Sequence, residues 1–226
     1  MKGFVAASLV LLLLALSAAC GGGGGPAIDI KDFDTARFTL SQIASTDGQP
    51  SELTAEGVVD NRQQALSVTL EGETSPGTIA IGPTVYTYNQ TTQVWDAFTE
   101  SGGGPVGFGR PYWPQLWRDA AQVQDLGGES LPSAETIHYL LTFDRDKVKE
   151  WLELGAGSEG QAVDVVRAEV EVWVDQESRY AVQLTFRLDL ASGAQTRNIE
   201  ITSGFSDFGS EVQIQAPQGT TATPSP

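Results

Sequence analysis

Cysteine, histidine and methionine each occur once in these 226 residues. One cysteine closes no internal disulfide, and one cysteine with one histidine cannot build a Cys/His zinc site. Basic residues are scarce: 13 Lys and Arg stand against 29 Asp and Glu, a formal net charge of −16. Such a surface repels phosphate backbones, which excludes nucleic acid as a partner. Long hydrophobic runs are few. Phe4–Leu16 runs 13 residues with Ser8 as the only polar one, short of the ~20 that a spanning helix needs. Absent too are a Gly-x-Ser-x-Gly elbow, a phosphate-cradling glycine loop and a His-Glu-x-x-His pair. His138 has no nucleophile beside it in sequence and reads as a solvated strand histidine. We therefore expect no enzyme, no cofactor and no metal; a Ca²⁺ site built from the 29 acids is left open, although no loop has EF-hand spacing. What is there is 40% hydrophobic and 8% aromatic, with five Trp. That is enough for a true core, and the length suits one large domain.

The amino terminus reads as an export signal. Lys2 supplies a positive charge, Phe4–Leu16 the apolar region, and Leu16-Ser17-Ala18-Ala19 leads into Cys20. That ending resembles the lipobox of bacterial lipoproteins, which implies cleavage before Cys20 and its acylation; the alternative is a soluble export signal cut near Ala19 with Cys20 an incidental thiol. Gly21–Gly25 and Pro26 come next, a tether whose five glycines reach roughly 12–13 Å as a coil. At the far end Gln218–Pro226 reads QGTTATPSP, a composition of disorder. The expected organisation is a signal over 1–19, a lipidated cysteine and tether over 20–34, one domain over 35–217 and a disordered tail over 218–226.

The body alternates. Val166, Ala168, Val170, Val172 and Val174 share one side of a run whose other side holds Arg167, Glu169, Glu171 and Trp173. After Asp175–Ser178, Val182, Leu184, Phe186, Leu188 and Leu190 alternate with Gln183, Thr185, Arg187 and Asp189. This is a hairpin in a sheet wetted on one face. Asn198–Thr202 and Val212–Gln215 read as further strands. Weaker alternation predicts Phe38–Ile43, Leu53–Val59, Leu66–Leu70, Thr78–Ile81, Val85–Tyr88, Val94–Phe98 and Ile137–Phe143. Two helices are expected. Pro114–Leu126 puts Trp117, Ala120 or Ala121, and Leu116 with Val123 on roughly one face, and Arg145–Leu154 is capped by Asp144 and buries Val148, Trp151 and Leu152. Strands, a central helical insertion, then more strands make an α+β fold built on antiparallel sheet.

Several stretches now resemble a known family. Leu16–Cys20 is similar to a bacterial lipobox, with Ser17 where that motif usually has Leu. Val85-Tyr86-Thr87-Tyr88 with Trp95, Val172-Trp173-Val174-Asp175, and Gly204–Gly209 followed by Val212, Ile214 and Pro217 resemble the LppX/LprAFG-type envelope lipoproteins. The likeness covers roughly residues 35–217. It implies the strongly curved half-barrel of the LolA and LolB carriers, a single antiparallel sheet with a few short helices over its concave face. The long first helix of that family has no counterpart in Ala27–Thr35. The resemblance further implies a cavity for acyl chains and carriage of a lipid or glycolipid. The protein would be a monomer held by an N-terminal lipid anchor on the extracytoplasmic face of the cell membrane. Expected cavity residues are Val170, Val172, Leu184, Phe186, Leu188, Val148, Trp151 and Leu152. Phe108, Tyr112, Trp113 and Trp117 are expected at its rim. The competing expectation is an anchored, non-catalytic interaction or sensor module whose apolar face is an ordinary packed core.

Overall fold

The computed structural model describes residues 28–73, 77–99, 120–149 and 164–222. Twelve strands run through them: β1 (Thr35–Thr46), β2 (Gln49–Asp60), β3 (Ala65–Leu70), β4 (Thr78–Ile81), β5 (Thr84–Asn89), β6 (Val94–Thr99), β7 (Ala120–Leu131), β8 (Ala134–Phe143), β9 (Asp164–Asp175), β10 (Ala181–Ser192), β11 (Gln195–Ser206) and β12 (Thr220–Ala222). Their hydrogen-bonded order is β12-β6-β5-β4-β3-β2-β1-β11-β10-β9-β8-β7. β1 to β11 form an open antiparallel sheet in which consecutive strands pair from β1 to β6 and from β7 to β11, and β1 joins the two runs by pairing with β11. The expected strands are all present except the one at Val212–Gln215.

The expectation of short helices over the sheet needs correction. Among the described residues only 145–149 are helical. That turn begins as its sequence indicates, with the Asp144 carboxylate accepting the N–H of Asp146 at 2.9 Å and of Lys147 at 3.2 Å. The expected helix over Pro114–Leu126 is instead strand from Ala120 onward. Weak helical spacing in this stretch loses to pairing with β8, from Ala120↔Phe143 to Leu131↔Ala134.

The chain divides into two compact units. The first holds residues 28–32, 41–52, 120–149 and 164–204, and the second holds 33–40, 53–73, 77–99 and 205–222. In the first, buried Leu141, Ala168, Val170, Val172, Val174, Leu188, Ile199 and Ile201 form the core. Asp47 and Gly48, at φ 50° and 79°, close the β1–β2 hairpin in the left-handed conformation that a two-residue turn requires. One expected position shifts. The pairing Asp189↔Arg167 is followed by Leu190↔Val165, so Val166 is an extra, bulged residue. Val165 is buried in its place, and Val166 is 49% exposed.

In the second unit Ala65, Ile79 and Ile214 form a buried cluster flanked by Val58, Ile81, Tyr86 and Trp95. Val212 and Ile214 are buried and Gln213 and Gln215 exposed, yet residues 211–217 pair with no strand. The alternation there reflects a segment laid against a sheet face rather than a rung of the sheet. Three residues of the tail then run parallel to β6, with Thr220 opposite Trp95. Gly57 is required by its neighbours: a Cβ there would collide with the Ser67 carbonyl oxygen and stand 2.5 Å from the Phe38 ring.

Asp60, whose side chain is wholly buried, ends β2. Its carboxylate accepts the backbone N–H of Arg62 at 2.9 Å and of Gln63 at 3.2 Å, and the Arg62 guanidinium at 3.3 Å. Burial alone would raise its pKa; the bonds from Arg62 and Gln63 outweigh that and hold it below the ordinary value. A carboxylate depressed in the folded state stabilises above its unfolded pKa, and that contribution disappears as pH falls through the folded one. Asp60→Ala should therefore cost about 1–3 kcal/mol at neutral pH. In urea titrations the gap from wild type should close as pH is lowered below about 4. A gap that stays constant down to acid would contradict this role for the charge.

Candidate functional site: the apolar face of the first unit

Register decides which side chains share a face. Leu184 lies opposite Val172, Phe186 opposite Val170 and Leu188 opposite Ala168. Across the other edge of β10 the same three face Ser203, Ile201 and Ile199. On β8, Tyr139 lies opposite Val172 and Leu141 opposite Val170. Since side chains alternate along a strand, these residues form one continuous apolar face over β8–β11. The five expected strand positions, Val170, Val172, Leu184, Phe186 and Leu188, are all on it. Tyr139, Leu141, Ile199 and Ile201 belong to it too. The alternation within Ile137–Phe143 and Ile199–Ile201 carried that information, but only the pairing shows that the strands adjoin.

Closure of this face is uneven. Val170, Val172, Leu188 and Leu141 are shut from solvent at 3%, 0%, 1% and 0% exposure. Leu184 and Phe186 on β10 and Ile137 and Tyr139 on β8 are only half-buried. These four lie between the β9–β10 turn and the middle of the strands, and Leu190, near the other end of β10, is half-buried as well. Burial pushes the Tyr139 phenol up, and the Asp125 charge adds to it, while Arg179 beside the hydroxyl opposes both. Val148, on the helical turn, is 3% exposed. Trp151, Leu152, Phe108, Tyr112, Trp113, Trp117 and Cys20 lie outside the described residues, so the expected rim and part of the expected wall do too.

The opposite face is a network of charges and polar groups. Arg187 donates from Nε to Glu200 at 2.7 Å and also pairs with Glu171. Burial would lower the guanidinium's pKa, but these two carboxylates hold it above the ordinary value. The hydroxyls of Thr185 and Thr202 bond at 3.0 Å. His138 is not a freely solvated histidine: its side chain is 14% exposed, with Nδ1 3.0 Å from Glu129 and Nε2 3.3 Å from Glu171. Its ring stacks on Trp173 at 4.2 Å, and the Trp173 indole N–H donates to Glu129 at 2.9 Å. This explains why Trp173, on the wetted side by alternation, is only 6% exposed. Among the described residues no three His, Cys, Asp or Glu gather as metal ligands would.

Comparison with solved structures finds the lipoprotein LppX of Mycobacterium tuberculosis, at TM-score 0.53 and 17% identity, over 92% of this chain and 99% of that one. LprF of Mycobacterium bovis aligns at TM-score 0.36 and 11% identity over 92% of this chain and 95% of its own. An uncharacterized conserved protein of Thermus thermophilus aligns at 0.39 and 11% over 83% and 90%. No family model matches the chain, and no curated protein matches it in sequence. The resemblance read from the strand motifs thus holds at the level of architecture: the chain has the fold of the LppX-type lipoproteins.

Proposed function

We propose that this protein is a membrane-anchored, non-catalytic lipoprotein that holds a lipid or glycolipid against the apolar face of its first unit and carries or chaperones it in the cell envelope. In this reading the sheet curves as a LolA-like half-barrel. Cys20 bears the anchor on the extracytoplasmic face of the membrane, and the protein acts as a monomer. The supporting observation is the half-buried state of Leu184 and Phe186 beside fully closed Val170, Val172 and Leu188. Exposed apolar surface gains roughly 25 cal/mol per Å² when covered, and an acyl chain covers it without needing a hydrogen bond. The LppX fold supports the same reading.

The test fills the half-open part of the face. Leu184→Trp should lower uptake of a phosphatidylglycerol bearing a fluorescent acyl chain, with the melting temperature nearly unchanged. Val170→Trp, at a closed position, should instead cost about 1–3 kcal/mol of stability through overpacking. Undiminished uptake by Leu184→Trp, or no uptake by the wild-type protein, would sink the proposal and favour an anchored interaction module with a packed core.

A further inference from the structure

We infer that residues 28–32 form a displaceable strap at the half-buried part of the first unit's apolar face, pinned through Arg179 to Tyr139, and that an incoming acyl chain takes its place. The inference rests on the reading of that face as a lipid site and adds a gate to it. Register puts the pin on the face. Tyr139 lies opposite Val172 on β9, and Val172 lies opposite Leu184 on β10. One row thus crosses three strands, with a half-buried side chain at each end. The Arg179 guanidinium donates to the Tyr139 hydroxyl, and the Asp29 charge acts on the same phenol. Asp29 Oδ2 stands 3.4 Å from Arg179 Nε, and the Lys31 N–H donates to the Arg179 carbonyl at 2.9 Å. Residues 28–32 therefore run past Tyr139. Ile28 and Ile30 are half-buried there, while Asp29, Lys31 and Asp32 are exposed.

The hold is light. The Asp29 side chain is 81% exposed, and an ion pair so open to water contributes little. The Ile30 N–H bonds the Ile28 carbonyl at 3.0 Å, within the segment itself. In the second unit, by contrast, the segment laid on the sheet buries Val212 and Ile214 to 8% and 7% exposure. The residue at the pin is also held against its preference. Arg179 has φ 66°, in the left-handed region that favours glycine. The turn alone would take glycine; contacts to Asp29 and Tyr139 are what the arginine side chain adds. An acyl chain laid over Tyr139 and Leu184 replaces this light hold with apolar contact.

Arg179→Gly removes the pin without burdening the turn, because glycine adopts the left-handed φ freely. In the full chain it should speed uptake of a phosphatidylglycerol bearing a fluorescent acyl chain by roughly two- to tenfold, the effect of losing one hydrogen bond and one exposed ion pair. The melting temperature should not fall. Backbone hydrogen exchange over residues 28–32 should accelerate in the variant, and in the wild-type protein when that lipid is added, while β9 and β10 keep their rates. Unchanged exchange over 28–32 in Arg179→Gly overturns the pin. Faster exchange with uptake at the wild-type rate overturns the gate while lipid binding stands. A wild-type chain that takes up no lipid overturns the lipid reading and the gate with it.

Discussion

Replacing Cys20 with alanine should move the protein completely from the membrane fraction to the soluble one. Acyl chains contribute about 0.8 kcal/mol per buried CH₂, and one chain holds a protein weakly while two hold it stably. Nothing in the charge of the chain compensates for their loss, since a net −16 is repelled by anionic headgroups. Among the described residues no helix is long and apolar enough to cross a membrane. Intact-mass analysis of the wild-type protein from membranes should give residues 20–226 plus an acylated glycerol group. Unmodified Cys20 in protein released to the medium would contradict this and return the segment to a soluble export signal.

Leu188→Ala should be among the most damaging single truncations in the first unit. The side chain is 1% exposed and lies between Ala168 on β9 and Ile199 on β11. Both neighbours are held by their ladders, so the site cannot collapse, and the expected cost is about 2–5 kcal/mol. For a protein of this size that lowers the melting temperature by roughly 4–20 °C. Leu184→Ala, four residues away on the same face but half-buried, should cost markedly less. Equal costs at the two positions would mean that Leu184 is packed as tightly as Leu188, against the uneven closure of the face.

The strands were legible where both the alternation and the wetting were regular. β4 has the bounds its sequence indicates, and β9 and β10 extend theirs by one or two residues. Ambiguity arose where an element is defined by its partner. β7 has only weak alternation of its own and is a strand because β8 pairs with it. Val212–Gln215 alternates as well as β11 does but finds no ladder. The exchange of Val165 for Val166 depends on a bulge against Leu190, which no pattern within β9 reveals. Thr220–Ala222 looks like tail by composition and pairs with β6 through backbone groups alone, which composition does not report. At the candidate site, five alternating positions on two strands were enough to place Val170, Val172, Leu184, Phe186 and Leu188 on one face. Their different closure was not legible, because it depends on what lies over each one, and those residues come from distant parts of the chain. The same holds for His138: its flanking carboxylates, Glu129 and Glu171, stand on two other strands.

The central claim is that the apolar face of the first unit holds a lipid. Mass spectrometry of an organic extract of the purified protein, alongside Leu184→Trp prepared identically, tests it most directly. Extracts should contain about one acyl-bearing molecule per wild-type chain beyond the Cys20 anchor, and clearly less for Leu184→Trp. Extracts with no lipid beyond that covalent anchor, or equal amounts from the two proteins, would contradict it.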